Sequence, residues 1–89
     1  MNILVTKELE SIFAMILLED KSENEWAEIE SDDMFQSKHF CGCFDATERA
    51  FCFSYYDDDG IEYWFQLSLS EILVIVEQGS GVIKARPAG

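Results

Sequence analysis

Residues 39–67 read HFCGCFDATERAFCFSYYDDDGIEYWFQL, and through them apolar and polar side chains alternate with a period of two. Phe40, Gly42 and Phe44 alternate with His39, Cys41 and Cys43, and Phe51, Phe53 and Tyr55 with Ala50, Cys52, Ser54 and Tyr56. A third run sets Ile61, Tyr63, Phe65 and Leu67 against Glu62, Trp64 and Gln66. Successive side chains of a strand point to opposite sides, so each run predicts a half-buried strand. The connections Asp45–Arg49 and Asp57–Gly60 are short enough that neighbouring strands must be antiparallel hairpins. The result is a three-stranded meander whose inner face holds Phe40, Phe44, Phe51, Phe53, Tyr55, Ile61, Tyr63, Phe65 and Leu67. The other face carries Cys41, Cys43, Cys52, Ser54, Tyr56, Glu62, Trp64 and Gln66, a mixed surface for solvent or a partner.

An apolar sheet face needs a cover. Upstream, Leu9, Ile12, Phe13, Ile16 and Leu17 recur at helical spacing, with Ala14, Met15 and Leu18 widening the stripe. Thr6 is placed as an N-cap, and Glu8 and Glu10 fall in the first turn, where the helix dipole favours carboxylates. This predicts a helix from about Lys7 to about Glu19, after a short apolar lead in Met1–Val5. Ser22 with Glu25 three residues on has the form of a capping box. It predicts a second helix from Glu23 to Glu30 or a little beyond, with Met34 and Phe35 returning to the core. Downstream, Ser70–Glu71 reads as a helix start and Gly79 as the residue past its end, although the β-branched run Ile72–Val76 also suits a strand. The helix reading is adopted, followed by a short strand at Val82–Ile83 and a frayed tail from Lys84. The expected architecture is α+β, with residues 1–89 as a single domain. N-terminal helices pack on one face of an antiparallel three- to four-stranded meander, with a short C-terminal helix.

Composition supports a folded chain: 89 residues are 48% hydrophobic, with seven Phe, three Tyr and two Trp to fill a core. Eighteen acidic residues against six basic ones give a net charge of -12, beyond what solubility requires of a small domain. Such a field repels nucleic acid and anionic lipid and attracts basic proteins. The apolar run Phe13–Leu18 is too short for a signal or a membrane span, and three cysteines do not close a disulfide framework. A cytoplasmic location with reduced thiols is expected.

Three features could carry chemistry. Alternation places His39, Cys41 and Cys43 on one face, and pairing Phe44 with Phe51 would set Cys43 opposite Cys52. That would gather one imidazole and three thiols, the donor set of a structural zinc site. Ligands two apart on a strand are roughly 6–7 Å apart at the Cα, wide for one tetrahedral ion. The thiols are therefore read as structural, and no metal or cofactor is assigned. Asp57-Asp58-Asp59-Gly60 has the residues of a cation loop, but a strand begins too soon for an EF-hand, so it reads as a hairpin turn. The densest charge lies in residues 19–33, where Glu19, Asp20, Glu23, Glu25, Glu28, Glu30, Asp32 and Asp33 face Lys21 alone. An exposed helix usually carries compensating Lys at i+4, and its absence suggests that the negative surface itself is used. A single His, no nucleophile motif and no phosphate-binding loop argue against an enzyme.

In its size, its charge, and its hairpin with an Asp-rich turn and a Tyr/Trp strand, the chain resembles the small acidic immunity proteins of bacterial toxin–immunity pairs, of the colicin or contact-dependent growth-inhibition type. The resemblance implies tight binding to a basic toxin, a nuclease, with carboxylates set against the toxin's nucleic-acid-binding surface. Contacts are expected from Asp57, Asp58, Asp59 and Glu62, with Tyr56 and Trp64 as anchors. Glu25, Glu28, Asp32 and Asp33 form a second patch. The expected partner is thus a basic protein, with no direct nucleic-acid or membrane contact, and the chain a monomer or weak homodimer. Two alternatives stay open: a phage-type nucleic-acid mimic that inhibits a DNA- or RNA-binding enzyme, and a structural or assembly subunit.

Overall fold

The computed structural model describes residues 1–29 and 35–88. The three runs of alternating residues form strands β3 (Phe40–Asp45), β4 (Ala50–Tyr56) and β5 (Glu62–Leu67), paired as antiparallel neighbours. Phe44 opposes Phe51, so Cys43 does oppose Cys52. Two edge strands, β2 (Phe35–Gln36) beside β3 and β7 (Arg86–Pro87) beside β5, extend the meander to five strands in the order β2-β3-β4-β5-β7. Two residues are too few to show a period, which is why the pattern stops at the central strands. Residues 84–88 of the expected frayed tail are therefore an ordered edge, Gly89 lying outside the described residues: Arg86 pairs with Trp64, and the Ala88 N–H donates to the Glu62 carbonyl.

The apolar lead is β1 (Asn2–Leu4), which pairs with β6 (Val82–Lys84) in a separate two-stranded ribbon. At Ala85 the chain leaves that ribbon for the main sheet.

Helix α1 (Lys7–Leu18) begins at Thr6 as expected, although the threonine side chain makes no capping bond. Helix α2 (Glu23–Ala27) has both bonds of the Ser22/Glu25 capping box but ends at Glu28, short of the expected Glu30. Its last turn has no basic residue, and the acidic Glu28 sits where the dipole favours a cation. Helix α3 (Leu69–Gln78) starts one turn-fraction earlier than expected, because Ser68, not Ser70, is three residues before Glu71 and closes the box with it. Gly79 ends it in the left-handed conformation that glycine adopts without strain.

All seven phenylalanines are buried, and they join the helices to the sheet. Phe13 of α1 meets Phe53 edge-on at 6.1 Å, and Trp26 of α2 packs against Phe51 at 5.3 Å. Gly42 lies where a methyl group would come within 2.6 Å of the Cys52 carbonyl and 2.7 Å of the Phe53 ring, so its missing side chain is what lets that ring approach β3. Ile61, expected on the inner face, is exposed: it precedes the strand, and its N–H is held by the Asp57 side chain within the turn. With both helices α1 and α2 contributing to the inner side, the outer face of the sheet is left open. Among the described residues no helix is long and apolar enough to cross a membrane.

Candidate partner-binding face

The register lays the outer-face residues out in rows across the strands. One row runs Gln36, Cys41, Ser54, Trp64, Arg86. The row on one side of it pairs Tyr56 with Glu62, and the row on the other runs Cys43, Cys52, Gln66. Small side chains on β3 and β4 thus lie beside tall ones on β5 and β7. The difference in height makes an open groove of about 900 Å³, with Cys41, Cys43, Cys52 and Ser54 as floor and Trp64 as wall. Lys84 and Arg86 stand on its rim.

Tyr56 is 39% exposed and Trp64 43%, so both anchors proposed from sequence are accessible. The Trp64 indole Nε1–H donates to Glu62 Oε2 at 2.8 Å. That bond, with the Ser54 hydroxyl and against slight desolvation, then Tyr56, holds the Glu62 carboxyl below its ordinary range. Desolvation and the neighbouring Glu62 charge push the Tyr56 phenol up. The Arg86 guanidinium lies 5.8 Å from the centre of the Trp64 ring. The Cys52 thiol is pushed up by burial and by the Asp45 and Cys43 groups beside it, so it stays protonated and weakly nucleophilic.

The β4–β5 turn is built around Asp57. Its Oδ1 accepts from the N–H groups of Asp59 and Ile61, its carbonyl accepts from Gly60, and Gly60 takes a φ of 79° that suits glycine. Asp57 is accordingly part of the turn's scaffold, whereas Asp58, with a side chain 98% exposed, and Asp59 point their carboxylates outward.

His39 departs from the strand alternation expected of it. The chain bends at Lys38–His39, and the imidazole Nδ1 sits 2.9 Å from Glu8 Oε1 on α1, with Nε2 3.4 Å from Asp58. Glu8 Oε2 also accepts from the His39 N–H at 2.8 Å and from the Ser37 hydroxyl. Partial burial opposes the Glu8 carboxylate, but the bonds from Ser37 and His39 outweigh it and bring its pKa down to about 2. The same hydrogen bond raises the His39 pKa. His39 is thereby drawn off the face that carries Cys41 and Cys43, and the four-donor cluster does not assemble. Among the described residues no group of three or more His, Cys, Asp or Glu side chains is placed to hold a metal ion.

The described residues of the second acidic patch, Glu25 and Glu28, are not joined to the first. Asn24 of α2 accepts from Arg49 in the β3–β4 turn, at the end of β4 opposite to Tyr56. The length of β4, seven residues, puts the two ends about 20 Å apart. Glu25 is engaged in the capping box and Glu28 is the C-cap of the same short helix, while Asp32 and Asp33 lie outside the described residues. Sequence reasoning missed Lys84 and Arg86 as neighbours of the face, since only the pairing of β6 with β1 and of the two-residue β7 with β5 brings them there. Comparison with protein-family models, with curated proteins and with solved structures finds no match to this chain.

Proposed function

We propose that this chain is an immunity-type inhibitor that binds and neutralises a basic protein toxin of the nuclease kind. The observation that carries this reading is the open outer face, where exposed Tyr56 and Trp64 lie beside an ionised Glu62, with the exposed Asp58 and Asp59 in the turn that follows Tyr56. Exposed aromatic side chains are the residues that supply binding energy when desolvated, and complementary charge speeds encounter and fixes register. A net charge of -12 selects a basic partner and disfavours nucleic acid. Glu25 and Glu28, at the far end of the sheet, add to the long-range field rather than to the same contact.

The test is capture of the partner from the native cell at low and high salt, followed by expression of the captured protein alone and together with this chain. The reading expects a stoichiometric basic protein that arrests growth when expressed alone and does not when this chain is present. A captured DNA- or RNA-binding enzyme that is harmless alone would replace the immunity reading with that of a nucleic-acid mimic.

One observation favours the assembly reading through a different surface. Leu4 and Val82, paired across the ribbon, and Leu73, Val74 and Val76 of α3 are all exposed apolar residues. A mass that doubles with concentration and reverts on Val74→Ser would support it.

A further inference from the structure

We propose that the groove above Ser54 is a receptor for one arginine side chain of the partner, with the Trp64 ring as stacking wall and the Glu62 carboxylate as its acceptor. The proposal rests on the partner-binding reading and names the group that the face takes up. Four features of the groove point to a guanidinium.

The wall is an indole, the aromatic side chain that attracts cations most strongly. It already shows this preference within the chain, since Arg86 lies over the same ring system at 5.8 Å on the β7 flank. The flank toward β4 faces Ser54, whose small side chain leaves room for a second planar group. The floor of Cys41, Cys43, Cys52 and Ser54 is low and weakly polar, suited to the aliphatic stem of a long side chain.

The acceptor is preorganised. Glu62 is two residues from Trp64 on the same face of β5, and the indole Nε1–H fixes one of its oxygens at 2.8 Å. Glu62 also accepts from Ser54 and Tyr56, but these donors are neutral and among the described residues no cation lies within ion-pair distance, so its charge is uncompensated. A guanidinium is flat, weakly hydrated and forked, and can stack on Trp64 while donating to the carboxylate. A lysine ammonium is a strongly hydrated point charge that gains less from the ring. The groove therefore distinguishes the two basic residues, whereas the outward Asp58 and Asp59 attract both alike.

The test is titration of the full chain with two short end-blocked peptides that are otherwise uncharged and differ only in one central residue, Arg or Lys, followed by nitrogen–proton NMR. Trp26, buried in the core, gives a second indole signal that reports whether each variant is folded. The arginine peptide is expected to shift the Trp64 indole and the Gln66 side-chain amide and to bind several-fold more tightly than the lysine peptide. Glu62→Gln is expected to weaken the arginine peptide about tenfold and to erase its advantage over lysine. Equal binding of the two peptides, or shifts confined to Asp57–Asp59, would overturn the receptor. If the captured basic partner binds Glu62→Gln as tightly as the native chain, the arginine receptor fails and the partner-binding reading stands. If no basic partner binds the native chain at all, it is that reading which fails.

Discussion

Glu8 ties the first helix to the sheet through three donors, the Ser37 hydroxyl and both the backbone and the ring of His39. Its stabilising effect is complete above the ordinary carboxyl value of 4.5 and is lost as pH falls through about 2. That of His39 is complete below the ordinary imidazole value of 6.5 and is lost as pH rises through the raised value of the folded state. Asp58 adds to the rise and Lys38 opposes it. The pair therefore acts in full between about pH 4.5 and 6.5. The difference in melting temperature between the native chain and His39→Gln should be largest in that window and shrink at higher pH. A difference that stays flat from pH 5 to 9 would show that the pair does not hold the helix. Gly42 offers a second test at this scale. A methyl group there meets a backbone carbonyl and a packed ring, so Gly42→Ala should cost about 1–3 kcal/mol in denaturant unfolding.

The same comparison of one residue with its neighbours explains what can be read at the level of elements. Ser68 and Ser22 each accept from the N–H of a Glu three residues on, and replacing Ser68 by Ala should destabilise the fold by about 1 kcal/mol, measurable by urea unfolding. The three long strands were legible because six or seven alternating residues fix both register and face: Phe44 against Phe51 determines every other pair in the hairpin. Strands β2 and β7 were not, since two residues have no period and their pairing is decided by backbone bonds to a neighbour already in place. The ambiguous run Ile72–Val76 proved helical because the capping box at one end and Gly79 at the other outweigh β-branched preference. At the candidate site, alternation correctly placed Tyr56, Glu62 and Trp64 together. It failed for His39, where hydrogen bonds to Glu8 on a distant element overrode the local pattern. Arg86, which completes the Trp64 row, was legible only once β7 was paired.

At the scale of the molecule, the charge of -12 acts on folding and on binding with opposite signs. Salt screens self-repulsion over a Debye length of about 8 Å at physiological strength, so adding sodium chloride should raise the melting temperature of the isolated chain. The same screening should lower the association rate with a basic partner. An association rate indifferent to salt would make the acidity a matter of solubility alone. The surface also divides in two: a charged, aromatic sheet face on one side, and the apolar residues Leu4, Val82 and Val74 of the ribbon and α3 elsewhere. Which of them meets the partner is the central claim, and mapping the captured partner onto the chain by NMR shift perturbation tests it most directly. The account predicts that the signals of Ser54, Tyr56, Glu62 and Trp64 move while those of Leu73 and Val74 do not. Perturbation centred on α3 and the ribbon, with the Trp64 indole unmoved, would contradict it.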